Sequence, residues 1–235
     1  MASGDAGKYW AKGCKLGEQI GGVYVDKIQV GLIFNPPWSQ STIIVSETFA
    51  RLPIAFMHPY AETLVGELKA SSFSLLDTYP TPTYVSSRPI AFQDAPIRYI
   101  STSQPNSAIV CLFCPLSTTS SSEPFPPPNL VHSSTSAALL SLIASRFPHL
   151  NATLLVLPFP RILPPAPKVL GNSDFSHLSD DEYQWSAGMM GIVHTLLFSA
   201  VGQKPGAPWQ TPSNSKASGA ASARNRAPVN DGMYI

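Results

Sequence analysis

The sequence predicts an α/β fold: a layered sandwich with a mixed, partly parallel sheet flanked by helices, followed by a disordered C-terminal tail. Two observations support this prediction. Short apolar runs typical of buried strands alternate with longer segments whose apolar residues recur at helical spacing. After residue 203 the chain is rich in Ser, Ala, Pro, Asn and Gly, and such a composition buries too little apolar surface to offset chain entropy.

These changes in composition divide the chain into three parts. We expect a flexible N-terminal arm over residues 1–22, an α/β domain over 23–203 and a disordered tail over 204–235. Within the domain, we expect the Ser/Pro-rich residues 115–128 to form an exposed loop. A chain of 235 residues with 44% hydrophobic residues has room for one domain of ordinary size plus flexible ends.

The first half of the domain is predicted to consist mainly of strands. Residues 23–34 mix β-branched and aromatic side chains and end at Asn35-Pro36-Pro37, which stops a strand. Residues 59–68 have helical spacing, with Pro59 suited to a first turn. Further short strands are expected over residues 42–46, 52–56, 83–86 and 97–100.

The second half shows a strand, a helix and a strand in succession. Residues 108–113 are almost wholly apolar, as in a central strand covered on both faces. Residues 129–147 have apolar side chains at helical spacing and stop at Pro148, and residues 152–157 form another buried strand. This order indicates a right-handed crossover and a partly parallel sheet.

A final helix is predicted from a capping box and an apolar surface. Ser179 is the expected N-cap, with Glu182 three residues later. Apolar residues cover most sides of the segment from 189 to 201, which indicates a buried helix. Gly202 is a natural residue to end it, and Pro205 prevents its continuation.

Composition excludes several classes of function. Charged residues make up only 12% of the chain and the net charge is +1, so neither nucleic acid nor a membrane surface is an expected partner. The apolar stretch 189–201 is too short to span a bilayer, and the N-terminus has no secretory signature. Cys111 and Cys114 lie within a predicted buried strand, without a second ligand pair for a metal. We expect a soluble intracellular protein without cofactor or metal.

No catalytic motif stands out, which predicts that the protein is not an enzyme. The sequence lacks a nucleophile elbow and the Gly-rich phosphate-binding loops. His194 lies within the buried helix and is expected to be a core residue bonded to backbone. Asp180 and Asp181 fall in the predicted first turn, where the helix dipole favours acids.

The chain ends in a hydrophobic residue, a tyrosine and one further residue: Met233, Tyr234 and Ile235. Pockets that capture a C-terminal carboxylate are a recurrent mode of peptide recognition. Placed at the end of a predicted flexible tether, these three residues are the candidate partner-binding site.

Three segments resemble proteasome assembly chaperones. Residues 182–202 resemble their glycine-containing helix. The P-N-L-V-H segment at 128–132, with the helix and strand after it, is similar to the corresponding part of the proteasome assembly chaperone 1 family. The ending G-M-Y-I at 232–235 resembles the hydrophobic-Tyr-X (HbYX) tail that this family inserts into the proteasome core particle.

This resemblance implies a non-enzymatic chaperone for assembly of the 20S proteasome, with a sandwich fold of the kind seen in phosphorylase-like proteins. The chaperone would form a heterodimer with a second chaperone subunit and bind the outer face of the α-ring. The proteasome α subunits would receive Met233, Tyr234 and Ile235 in a pocket between neighbouring subunits. The implied location is the cytoplasm and, in addition, the nucleus.

Two alternatives remain open. The first is a phosphorylase-like or hydrolase-like α/β enzyme with an incidental tail, which would have a polar pocket joining His132 or His194 to the acids between Asp174 and Asp181. The second is another proteasome regulator that uses the same tail.

Overall fold

The computed structural model describes residues 1–85, 90–102, 134–172 and 185–212. Its strands are β1 (Ala2–Ser3), β2 (Gln19–Val25), β3 (Ile28–Phe34), β4 (Ile43–Ser46), β5 (Ser72–Pro80), β6 (Arg98–Ser101) and β7 (Asn151–Phe159). Its helices are α1 (Gly4–Lys12), α2 (Ile54–Leu68), α3 (Thr135–Arg146) and α4 (Ala187–Ser199), and short 3-10 turns lie at Thr81–Thr83 and Phe92–Asp94.

The strands form one mixed sheet in the order β2-β3-β4-β1-β5-β7-β6. The four central strands, β4, β1, β5 and β7, are parallel, whereas β2, β3 and β6 run antiparallel to their neighbours. The predicted mixed, partly parallel sheet is therefore confirmed. We call the end at which the parallel strands begin the amino edge, and the opposite end the carboxyl edge.

Helices cover both faces of the sheet, which confirms the layered sandwich. Side chains of successive strand residues point to opposite faces. Leu75 and Leu154 pack with α2 and α3, whereas their neighbours Leu76 and Leu155 pack with α1 and α4. All four leucines are at most 3% exposed. Burial of one such side chain contributes about 1.5–3 kcal/mol, so both faces of the central strands stabilise the fold.

The predicted flexible arm over residues 1–22 is wrong, because β1 lies in the middle of the sheet. Ala2 pairs with Val45 on one side and with Leu76 on the other. The chain then turns through Gly4, whose φ of +55° favours glycine, into α1. At Gly7 a side chain would collide with the carbonyl group of Ala2, so α1 packs tightly on its own strand. A two-residue strand has no periodicity by which the sequence could reveal it.

Other boundaries in the first half also differ from the prediction. The strand expected over residues 23–34 is a hairpin, because Asp26 and Lys27 both adopt positive φ, at 48° and 69°, as in a two-residue turn of the I′ class. The strand expected over 52–56 is absent, since α2 begins at Ile54 and places Pro59 inside the helix. Strand β5 was not predicted.

The last helix begins later than the capping box indicates. α4 starts at Ala187, and its N-cap is Ser186, whose side chain accepts a hydrogen bond from the Met189 amide. The buried Trp185 precedes this helix, and its indole donates a hydrogen bond to the Pro158 carbonyl over 2.7 Å. Ser179 and Glu182 lie outside the described residues. The predicted end is confirmed, because Gly202 has a φ of +71°.

Candidate functional site: the base of the C-terminal segment and the two sheet edges

The predicted partner-binding residues Met233, Tyr234 and Ile235 lie outside the described residues, as does the predicted loop over 115–128. The structure does show how the chain leaves the domain on its way to them. Residues 203–212 follow α4 and are held against α1 and the loop after β3. We call this stretch the C-terminal anchor.

Trp209 is the main contact of the C-terminal anchor. Its side chain is buried and its indole donates to the Trp10 carbonyl over 3.0 Å. The next residue, Gln210, donates its amide to the Gly13 carbonyl over 2.9 Å. A side chain at Gly13 would overlap the Trp209 indole. The absence of a side chain at Gly13 is therefore what lets the anchor lie against the end of α1.

His194 of α4 contacts the C-terminal anchor at Ala207. It is 2% exposed, and its Nε2 lies 3.0 Å from the Ala207 carbonyl oxygen. Because a carbonyl only accepts, Nε2 carries the proton and Nδ1 can accept from the Cys14 thiol, 3.5 Å away. Burial lowers the pKa of His194 and raises that of Cys14. The predicted core histidine bonded to backbone is confirmed.

The start of the anchor is held by the loop after β3. The Ser39 hydroxyl donates to the Gln203 side chain over 2.9 Å, and a side chain at Gly206 would meet the ring of Trp38. The prediction of a disordered tail from residue 204 is therefore wrong for residues 204–212. Trp209 is the signal that could have shown this, because it is a large aromatic residue within a low-complexity stretch.

A buried polar network lies at the carboxyl edge. The neighbouring strands β1 and β4 lead into helices on opposite faces of the sheet: α1, after β1, covers one face, and α2, after β4, covers the other. In α/β sheets such a point is the common place for ligands. Ser3 and Ser46 end the two strands in register. Glu47 follows with a φ of +54°, a strained conformation for a residue other than glycine.

The Glu47 carboxylate joins two elements of the network. One oxygen accepts from the Leu52 amide over 3.0 Å and the other from the Thr135 hydroxyl over 2.6 Å. Burial raises the pKa of Glu47, while these hydrogen bonds and the charge of Arg51 act in the opposite direction. Glu47 thus connects the loop before α2 to the first turn of α3.

Asp77, inside β5 and three residues before its end, is the second acid of this network. One carboxylate oxygen accepts from the Thr78 amide over 2.8 Å, and the other is buried, with the hydroxyl groups of Ser134 and Ser136 close enough to lower the pKa. Burial raises the pKa of Asp77 to about 6; the Thr78 amide opposes this and the charge of Glu47 adds to it. Both acids are at most 9% exposed, so the network faces protein atoms.

The amino edge holds a cavity instead. Its volume is about 420 Å³, and it lies between the first residues of β4 and β5 beside Met1. Helical side chains from both faces of the sheet line it, among them Leu64, Leu139, Trp10 and Phe198. The cavity is thus separate from the buried acids, at the opposite end of the same strands.

Among the residues of the enzyme alternative, the described structure includes His194. His194 belongs to the C-terminal anchor, while His132, Asp174, Asp180 and Asp181 fall outside the described residues, as do Cys111 and Cys114. Over the described ranges, no group of three or more His, Cys, Asp or Glu is placed to hold a metal ion. None of the helices in the same ranges has the length and apolarity needed to cross a bilayer.

No protein-family profile matches the sequence, and no curated protein matches it significantly. Among solved structures, the fold is similar to a protein of unknown function from Thermoplasma acidophilum, with 11% identity, a TM-score of 0.45 and coverage of 70% of this chain and 68% of that chain. It is also similar to Pyrococcus furiosus PbaA, an archaeal homologue of proteasome-assembly chaperone, with 14% identity, a TM-score of 0.41 and coverage of 67% of each chain. At these values neither likeness identifies a function for this chain.

Proposed function

We propose that the protein is a non-enzymatic chaperone for assembly of the 20S proteasome. It pairs with a second chaperone subunit and binds the outer face of the α-ring through its C-terminal residues. The observation that carries this proposal is the G-M-Y-I ending at 232–235, taken together with the resemblance of residues 128–132 and 182–202 to proteasome assembly chaperones. Its place of action is the cytoplasm, and the nucleus as well.

In this proposal the last three residues bind as one unit in a pocket between neighbouring α subunits. The Ile235 carboxylate pairs with a lysine of the pocket, which is the charge-assisted contact. The Tyr234 hydroxyl forms a hydrogen bond at the rim while its ring packs on the apolar wall. Met233 fills the neighbouring apolar recess, where its flexible side chain suits an irregular shape.

The C-terminal anchor supports this mechanism because it fixes where the tether begins. Residues 203–212 are held against the domain, so at most the 23 residues from 213 to 235 act as the tether. A flexible chain of that length has a typical end-to-end distance of about 26 Å. When the domain is docked on the ring, the tether would therefore keep the last three residues near their pocket at an effective concentration in the millimolar range, as short flexible linkers do.

The proposal is tested by the binding of purified α-rings and core particles to three proteins: the full chain, Tyr234→Ala, and the chain lacking Ile235. We expect both variants to bind at least about tenfold more weakly. Loss of Ile235 moves the terminal carboxylate away from its lysine, and a charge-assisted hydrogen bond is worth about 1.5–3 kcal/mol. Tyr234→Ala removes a hydrogen bond and the packing of an aromatic ring. Thermal unfolding should not change. Asn230→Ala, in the same segment but outside the motif, is the matched control and should bind as the full chain does.

Undiminished binding of both variants would remove the tail from the mechanism. Comparison of particles at two stages of assembly separates the proposal from the alternative regulator. An assembly chaperone binds immature particles in preference to mature ones, whereas a regulator of the finished particle shows the reverse preference.

A further inference from the structure

The segment that follows β7 is rich in proline and exposes apolar side chains. Half of the residues from 160 to 167, in the sequence P-R-I-L-P-P-A-P, are proline. The segment passes from one face of the sheet to the other, because Leu163 packs with α1 and α4 whereas Ala166 packs with α2 and α3. Ile162 and Val169 are 62% and 76% exposed. We call residues 160–169 the proline strap.

The sequence of the proline strap favours a polyproline II backbone. Each proline fixes its own φ at about −65° and disfavours the α conformation in the residue before it. Every residue from 163 to 167 either is a proline or precedes one, so the whole stretch is restricted in this way. The structure agrees, since residues 162–167 belong to no helix, strand or turn.

Burial along the proline strap follows the period of a polyproline II helix, which has about three residues per turn. Leu163 and Ala166, three positions apart, are half-buried and form the edge that packs on the domain. Of the residues on the other two edges, all are exposed except Pro167, which is half-buried. These outward edges are formed by Ile162, Pro165 and Lys168 and by Arg161, Pro164 and Pro167.

Arg51 holds the centre of the proline strap in place. Its guanidinium donates to the Pro164 carbonyl over 2.8 Å and to the Pro165 carbonyl over 3.3 Å. This contact uses the backbone and leaves both proline rings exposed, and each carbonyl oxygen keeps a second lone pair. The outward edges are therefore held in one conformation, which lowers the entropy cost of binding a partner.

We propose that the proline strap is a docking site for a second protein, one with an aromatic-lined groove flanked by acidic side chains, as in domains of the SH3 type. Segments in the polyproline II conformation bind such grooves through their exposed edges. The exposed Pro164-Pro165 step would fill the centre of the groove. This site does not involve the C-terminal residues, so the inference is independent of the proposed function.

The charges of the proline strap support this choice of partner. Residues 160–172 carry two basic residues, Arg161 and Lys168, and no acidic residue. Arg161 lies one turn before Pro164 on the same edge, in the spacing R-x-x-P-x-x-P, and Lys168 lies one turn after Pro165 on the other. A groove with acidic side chains at its ends is complementary to this arrangement.

The test is titration calorimetry of the full chain with a panel of purified SH3 domains and, separately, a panel of purified WW domains. We expect binding to SH3 domains that have acidic side chains beside the groove. Arg161→Glu should weaken that binding at least about tenfold, because it removes a charge-assisted hydrogen bond. Pro165→Ala, which keeps the carbonyl bonded to Arg51, should weaken it several-fold.

Pro37→Ala is the matched control, because Pro37 is also the exposed second residue of a Pro-Pro step and has no basic residue near it in the sequence. It should bind as the parent does. Thermal unfolding of each variant reports on the fold. If Pro165→Ala is less stable than the parent, Ile162→Ser on the same exposed edge replaces it, with the same expected loss of binding.

Three results would overturn the inference. The first is an absence of binding to every SH3 domain of the panel. The second is equal affinity of the parent, Arg161→Glu and the variant on the Pro165 edge for the domains that bind. The third is binding to WW domains alone, which would show that acidic side chains beside the groove are not what the strap recognises.

Discussion

The two edges of the central strands are built in opposite ways. The carboxyl edge is filled by Glu47, Asp77 and the hydroxyl groups around them, all buried and most of them hydrogen-bonded. The amino edge contains a cavity of about 420 Å³ that is lined by polar and apolar side chains together. In many α/β proteins the carboxyl edge binds the ligand. Here that edge is filled by protein atoms and serves the stability of the fold.

This difference separates two kinds of substitution. Changes at the carboxyl edge should alter the free energy of unfolding and its pH dependence, with little effect on binding. Changes at the C-terminal anchor should release residues 203–212 from the domain, with a smaller effect on global stability.

Glu47→Ala should have the largest effect on stability. It leaves the Leu52 amide and the Thr135 hydroxyl buried without an acceptor, and each unsatisfied group costs about 1–3 kcal/mol. We expect a loss of about 4 kcal/mol in urea unfolding at neutral pH. Glu47→Gln, which keeps an acceptor for Leu52, should lose much less. Equal losses for the two variants would show that the carboxylate does not hold the network.

Asp77→Asn should change the pH dependence of stability. Burial raises the pKa of Asp77 from its ordinary value of 3.8 to about 6. The folded state therefore favours the protonated acid, and this contribution to stability is present below pH 3.8 and lost as the pH rises through about 6. The loss is up to about 3 kcal/mol.

Asparagine avoids that loss, so the variant should be the more stable protein at pH 7.5 and should lose this advantage at pH 4. Urea unfolding at the two pH values measures the difference. If the free energies of unfolding of variant and parent differed by the same amount at both pH values, the assigned pKa would be contradicted.

Trp209→Ala should release the C-terminal anchor. The substitution removes the hydrogen bond to Trp10 and the packing on Tyr9, whose ring centroid is 5.6 Å away. We expect a loss of about 2 kcal/mol, smaller than for a central core residue because the anchor can detach alone. Limited proteolysis within residues 203–212 should accelerate, while Trp209→Phe should be intermediate. Unchanged cleavage would show that the indole does not hold the anchor.

Arg146→Ala should have the smallest effect. Its guanidinium lies 2.7 Å from Glu62, but the side chains are 63% and 59% exposed. Such surface pairs contribute about 0.5 kcal/mol or less. Thermal unfolding of the variant in low and high salt should match that of the parent within this margin. A loss of stability as large as that expected for Glu47→Ala would contradict the view that buried charges matter more to this fold than exposed ones.

The elements that the sequence predicted best are those with regular apolar spacing. The helix expected over 129–147 appears as α3, which begins at Thr135 with Ser134 as its N-cap, and the strand expected over 152–157 is β7. Local patterns therefore identified α3, β7 and the end of α4 at Gly202, while the strand expected over 108–113 lies outside the described residues. They failed for β1, whose two residues are too few to show a pattern.

Strand β5 was missed because buried polar residues interrupt its apolar pattern, and Asp77 is one of them. The same reason hid the acidic network, since Glu47 meets Thr135 across 88 positions of sequence. No local pattern encodes such contacts between distant residues.

The most direct test of the central claim is the affinity of purified α-rings for a chain extended by one glycine beyond Ile235. The extension moves the terminal carboxylate but leaves the domain, the C-terminal anchor and all side chains in place. We predict at least about tenfold weaker binding than for the unmodified chain. Equal affinity of the two chains would contradict the account.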